Sequence, residues 1–219
     1  DVAVHHAVAM GMVERIRQRK PLFRGSIMRM RWSVGDPDAL FDRWMPRLRF
    51  FFSTPFFVVS AALFLAYLLV LVLKWNEFAA GVIALYTPSN FTVEKIATIL
   101  LTTVTIIGIH ELGHGVTCKH FGGKVHEMGA MLIYFNPAFY CNVNDAWTFP
   151  ERSARLWVTP AGSWIQFAIA SVAGVGWWAA TPDTIVYQVS FAAVLIGGIV
   201  TVLLNINPLI PLDGYYALS

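Results

Sequence analysis

Four stretches of this chain run 23 to 28 residues with a single ionised carboxylate among them and no Lys or Arg. They are Phe50–Leu73, Ile96–Cys118, Leu156–Thr181 and Ile185–Leu212, and the one acid is Glu111 in the second. A bilayer's hydrocarbon core of roughly 30 Å takes about 20 apolar residues in a helix. Length and hydropathy therefore predict four membrane spans. Composition supports this, with 57% hydrophobic and 13% charged residues among 219, where a soluble domain carries about 25% charged. Half that charge cannot cover a soluble globule, and so much apolar side chain excludes a disordered segment. Two cysteines, Cys118 and Cys141, exclude a disulfide scaffold.

The formal net charge of +3 is unevenly spread, and it is not a nucleic-acid signal. Residues 1–49 carry ten Lys/Arg against five Asp/Glu, and residues 50–219 carry six against eight. The first part reads as a basic cytoplasmic juxtamembrane arm and the second as an intramembrane core. Fourteen of the sixteen cations fall before the first span or between the second and third. The positive-inside rule then puts that side, and both ends of this segment, in the cytoplasm. Trp44, Trp75, Trp157, Trp177 and Trp178 lie near span ends, as interfacial aromatics do. The sequon Asn90-Phe91-Thr92 falls on the outer side and is read as a chance match. A chain that starts at Asp1 and closes without a polar tail is expected to be a piece of a longer protein.

Shorter signals fill the gaps. Asp36-Pro37 predicts a helix start, with the helix running to about Met45 and ending at Pro46. Val2–Arg19 is helix-compatible and basic, suited to the inner leaflet. Gly122–Pro150 is apolar but too short to span, and reads as strands or a re-entrant loop. Pro208 and Pro211 stand three apart near the end of the fourth span, where the chain should be unwound. The expected fold is an all-α membrane protein of about four transmembrane helices, with a small strand-like or re-entrant segment near the site.

That site begins with His110-Glu111-Leu112-Gly113-His114. Residues four apart share a helix face, so two imidazoles can grip one zinc ion while Glu111 stands beside them. A lone histidine is more often a packed core residue, but ionisable groups inside a membrane are costly and need a partner charge. A metal ion supplies one. Catalytic zinc takes three protein ligands and leaves a fourth position to water, so a third ligand is required. His120 has the spacing of metzincin proteases, although Thr117 stands where those have a turn-forming glycine. Asp213 is the other candidate and the favoured one: the topology brings the end of the fourth span to the same side as the end of the second. His126 and Cys141 read as a satisfied polar contact and a small buried hydrophobe rather than as ligands.

HELGH in one span and Asn207-Pro208-Leu209-Ile210-Pro211-Leu212-Asp213-Gly214 in a later one resemble the two signatures of the site-2 protease family of intramembrane zinc metalloproteases. The family's second motif is commonly written NPxPxxDG, and the spacing of the prolines here differs by one. Thr159-Pro160-Ala161-Gly162-Ser163-Trp164-Ile165-Gln166 resembles the family's small-residue segment, with Gln166 where an Asn is usual. Phe121-Gly122-Gly123-Lys124-Val125-His126-Glu127-Met128-Gly129 and Asp213-Gly214-Tyr215-Tyr216 are similar to bacterial peptide zinc metalloproteases. The resemblance covers roughly residues 30–219. It implies Zn2+, a zinc-dependent endopeptidase, a bacterial cytoplasmic membrane location and a possible secretion-adaptor segment or subunit as partner. Its substrates would be peptides or membrane proteins.

On this reading His110, His114 and Asp213 hold the metal and Glu111 is the general base. Asn207, or Asn205, would donate to the oxyanion, and Gln166 would touch substrate or oxyanion. Segment 131–135 is expected to pair with extended substrate as an added strand. The alternative from another class is a non-catalytic zinc-binding membrane component of a peptide export complex.

Overall fold

The computed structural model describes residues 23–26, 29–87, 92–133, 136–210 and 212–218. The expectations for Val2–Arg19, for positions 134 and 135 of the strand-pairing segment and for Pro211 lie outside those residues, as does most of the sequon.

In chain order the elements are β1 (Phe23–Ser26), β2 (Arg29–Gly35), α1 (Asp38–Leu48), a 3-10 turn (Arg49–Phe52), α2 (Thr54–Leu73), α3 (Trp75–Ala84) and α4 (Val93–His120). There follow β3 (Met128–Ile133), β4 (Asn136–Cys141), a second 3-10 turn (Asn144–Thr148), α5 (Arg152–Val158), α6 (Ala161–Ala179), α7 (Ile185–Val194), a π-helical segment (Leu195–Asn205) and α8 (Asp213–Leu218).

Among the described residues three helices are long and apolar enough to cross a membrane: Thr54–Leu73, Val93–His120 and Ile185–Asn205. Each starts at a hydroxyl cap, where Ser53, Thr92 and Thr184 accept from the backbone N–H of Phe56, Lys95 and Tyr187. Such a cap satisfies one of the amides that every helix start leaves without a carbonyl. A fourth candidate span is the pair α5 and α6, bent by 47° at Thr159-Pro160. Leu65, Leu69, Val72 and Leu101 stand well exposed, an outward apolar surface that suits lipid and not water.

The apolar core sits where α2, α3, α6 and α7 meet. Tyr67, Val70 and Leu71 pack with Phe78, Ala170, Trp177 and Val194, all nearly or fully buried. Trp177 is therefore a core residue at 0% exposure and not the interfacial ring its position suggested. It lies at the end of a span, but α3 folds over it and contributes Phe78. This ten-residue helix is too short to span and was not anticipated. Trp44, Trp75, Trp157 and Trp178 do stand exposed.

The mostly helical fold expected is present, and its small strand-like segment is, among the described residues, part of a four-stranded antiparallel sheet of order β1-β2-β3-β4. Two strands come from the segment after α4, as strands and not as a re-entrant loop. The other two come from the basic arm, with Arg31 opposite Met131 and Met131 opposite Ala138. The arm thus shares its sheet with the core. Its helix α1 starts at Asp38, where Asp36 Oδ1 accepts the Asp38 N–H at 2.9 Å, and continues through Pro46 to Leu48 instead of stopping there. Asp38 Oδ1 in turn accepts from Lys119 Nζ at 2.7 Å and from the Val125 N–H at 3.0 Å, which ties α1 to the end of α4.

Candidate metal centre

His110 and His114 lie one turn apart on α4, both buried. Their Nε2 atoms are 3.0 Å apart, and Asp213 Oδ2 lies 3.1 Å from the first and 3.3 Å from the second. Among the described residues these three form the one His/Cys/Asp/Glu group with metal-ligand spacing. Three irregularities in the helices build this centre, and a fourth turns the chain from α4 toward β3.

Two of them orient the imidazoles. The break at Thr159-Pro160 ends α5 at Val158, whose carbonyl thereby has no helical partner. That oxygen accepts from His114 Nδ1 at 2.8 Å. His110 Nδ1 lies 3.0 Å from Gln166 Oε1. Both partners are oxygen acceptors, so each Nδ1 carries the proton and each Nε2 turns its lone pair to the centre. Gln166 Oε1 also accepts from Thr201 Oγ1 at 3.0 Å and from Asn205 Nδ2 at 3.1 Å. Those two donors are presented by the π-helical segment, the second irregularity; its wider turn shows in Thr201 Oγ1 bonding back to the carbonyl of Ile196, five residues before it.

The third irregularity follows the π-helix. Described residues 206–210 and 212 are non-helical, and α8 opens at Asp213. The unwinding expected from the prolines is present, and it delivers the carboxylate. The fourth is the end of α4: Gly122 N–H bonds to the Lys119 carbonyl and Gly123 N–H to the Cys118 carbonyl. Gly122 has φ +85°, the left-handed conformation that glycine adopts most readily, and it turns the chain toward β3. Gly162 completes the packing. A Cβ there would lie 2.5 Å from the His110 ring, so only glycine lets α6 approach the imidazole.

This arrangement fits a cation. Two imidazole lone pairs and a carboxylate oxygen face one another at 3.0–3.3 Å. Neither approach to Asp213 Oδ2 has hydrogen-bond geometry, and that buried oxygen has no donor among the described residues. Acceptors so close repel unless a positive charge lies among them. A tetrahedral ion with bonds of 2.0–2.2 Å holds its ligand atoms about 3.3–3.6 Å apart, close to the spacing here.

Glu111, Asp213 and His114 line a cleft of about 720 Å³, together with Trp147, Arg152 and Arg155. The Cys141 backbone amide lies against the Glu111 carboxylate, so β4 runs beside the site. Burial, and then the Glu111 charge, pushes the Cys141 thiol up to about 12, which keeps it a neutral SH and a poor ligand.

His120 and His126 stand apart from the centre, as the favoured reading has it, and the roles expected for Asn207 and Gln166 fall elsewhere. His120 stacks flat on Phe52, ring centroids 3.8 Å apart, and takes no part in the centre. His126 pairs with Asp145 at 3.1 Å. Asn207 does not line the cleft; its Oδ1 accepts the Leu209 N–H at 2.9 Å in a local turn. Gln166 sits behind His110 at 3% exposure, where it orients the ligand instead of meeting substrate.

The expected strand partner also moves. The described part of 131–135 belongs to β3, which is paired on both sides, so among the described residues β4 is the edge strand at this end of the sheet. Sequence reasoning missed Val158, whose carbonyl carries no side-chain signal. Pro160 was the available clue.

Comparison with protein-family models, with curated proteins and with solved structures returns no match.

Proposed function

We propose that this chain is an intramembrane zinc metallopeptidase that hydrolyses peptide bonds of membrane-associated or transmembrane peptides, as the site-2 protease resemblance suggests. One observation carries the reading: His110, His114 and Asp213 converge from distant segments, with Glu111 beside them on the wall of one cleft. Two neutral imidazoles and one carboxylate are a donor set that catalytic zinc accepts while keeping a position open. When bound, zinc supplies a Lewis acid that acidifies a water molecule and polarises a peptide carbonyl.

The remaining work belongs to the chain. Gln166 and the Val158 carbonyl hold both Nδ1–H groups, which keeps each Nε2 aimed without reorganisation. Asp213 offsets cationic charge in a buried setting. The Glu111 carboxylate takes a proton from the attacking water and passes it to the leaving amine. A helical substrate hides its carbonyls in hydrogen bonds, so the peptide must be extended at the cleft. The β4 edge, beside Glu111, is the place for it to add as a strand.

In this proposal the protein lies in a bacterial cytoplasmic membrane with the site toward the cytoplasm, and a secretion-adaptor segment or subunit is a candidate partner. The test is Glu111→Gln in purified protein in lipid nanodiscs. Zinc content should stay stoichiometric while cleavage of membrane-derived peptides falls by about 10²–10⁴-fold. Undiminished function with Gln at 111 would favour the non-catalytic export component.

A further inference from the structure

Helix α5 places Arg152 and Arg155 one turn apart, where side chains three residues apart share a face. Ala154 and Val158 are buried, and the two arginines line the same cleft as Glu111 and Asp213. Arg155 is half-buried and Arg152 exposed. Among the described residues neither guanidinium forms an ion pair or a hydrogen bond. The local carboxylates face elsewhere: Asp145 toward His126 and the Lys124 N–H, Asp213 into the candidate metal centre, Glu111 toward the Cys141 amide. Glu151 is exposed and pairs with neither arginine. Each guanidinium thus presents five donors with no protein acceptor in the wall of a concave site, and Arg155 is partly withdrawn from water.

We infer that Arg152 and Arg155 form an anion subsite that selects peptides bearing a carboxylate next to the segment held over Glu111. The inference deepens the peptidase reading and rests on it for the peptide nature of the ligand. Planar guanidinium forks match a carboxylate two bonds at a time, which gives orientation as well as charge. The carboxylate can come from an acidic side chain or from a peptide's C-terminus, and both present the same chemistry. A lipid phosphate is the rival anion. Peptide is favoured because the two arginines line the same cleft as Glu111 and Asp213, where the peptidase reading places the substrate.

The experiment measures binding, so that it does not depend on hydrolysis. Zinc-loaded Glu111→Gln protein in zwitterionic nanodiscs is titrated with short peptides in matched pairs, Glu against Gln, each with a free or an amidated C-terminus. The carboxylate-bearing member should bind at least about tenfold more tightly. Arg152→Gln with Arg155→Gln should abolish that ratio, and the corresponding double Lys variant should restore part of it. A ratio that follows the side chain identifies an internal acidic residue, and one that follows the free terminus identifies the chain end.

A ratio near one, a ratio unchanged by the double Gln variant, or a variant effect seen only with anionic lipid in the disc overturns the subsite. The peptidase reading is scored apart. Cleavage by the wild type with no charge preference sinks the subsite alone, whereas charge-selective binding with no cleavage by the wild type sinks the peptidase alone.

Discussion

The apolar cluster around Trp177 and the polar cluster around His110 are built on the same helices and held by different physics. Helix α6 gives Ala170 and Trp177 to one and Gly162 and Gln166 to the other. The α7 helix supplies Val194 to the first, and its π-helical continuation supplies Thr201 and Asn205 to the second. Around Trp177 the elements are regular, and side-chain shape does the work. Around His110 the imidazoles and Gln166 sit on regular helix, but the Val158 carbonyl, the Thr201 and Asn205 donors and the Asp213 carboxylate come from interruptions: a broken span, a widened turn, an unwound stretch. Regular helices satisfy their own backbone groups and have no carbonyl to offer an imidazole. A directional site in an apolar bundle has to be made from the places where helices stop being regular.

The largest expected effect tests whether the polar cluster is a metal centre at all. Asp213→Ala should remove stoichiometric zinc, a loss well beyond the roughly 10–100-fold that an orienting residue costs. His120→Ala should leave metal content unchanged, because its ring lies on Phe52. Metal analysis of the purified proteins checks both. Zinc lost with His120 and kept without Asp213 would break the assignment.

Next in size is the apolar side. Trp177→Ala should destabilise the protein by about 3–5 kcal/mol, because a ring at 0% exposure leaves a cavity the bundle cannot close. Denaturant unfolding in detergent reads the loss. Zinc affinity of the folded fraction should be unaffected; a parallel loss would show that the two clusters are one cooperative unit.

Gln166→Leu sharpens the contrast from the site side. The leucine removes the acceptor that fixes the His110 tautomer and strands the Asn205 donor, while the Thr201 hydroxyl keeps the Ile196 carbonyl. Zinc affinity should fall roughly 10–100-fold. Gln166→Glu keeps an acceptor oxygen and should retain most of the affinity. Equal losses in both variants would mean that Gln166 only fills space.

The two regions also differed in how far they could be read from sequence. The His pair was legible because helix periodicity is local and needs no tertiary knowledge. Asp213 was legible because span lengths fix which ends share a side, and Pro208 with Pro211 marked the unwound approach. Trp177 was misplaced since position along a span does not say whether a neighbour such as α3 will cover it. Gln166 and Asn207 were found as residues but not as roles, because direction depends on the π-helix and the local turn. The pairing of β2 with β3 joins positions about a hundred residues apart, and nothing in a basic arm signals it. Hydropathy records what a residue avoids, whereas the site is defined by what each polar atom faces.

The smallest effect concerns the latch between that arm and the end of α4. Burial alone would raise the Asp38 pKa. The hydrogen bonds from Lys119 and the Val125 N–H, with the charges of Lys119 and Lys124, hold it below its ordinary 3.8. A carboxylate held low contributes stability that is present above its unfolded pKa and is lost as pH falls through the folded value. The wild type should therefore exceed Asp38→Asn by up to about 1 kcal/mol at neutral pH, the scale of a partly exposed ion pair. That gap should hold down to about pH 5 and close below the ordinary carboxylate value. Unfolding midpoints across that range measure it. Zinc affinity should not follow, since Asp38 grips Lys119 and Val125, beyond the histidines. A matching drop in affinity would make the arm part of the site and extend the polar, directional region across the sheet.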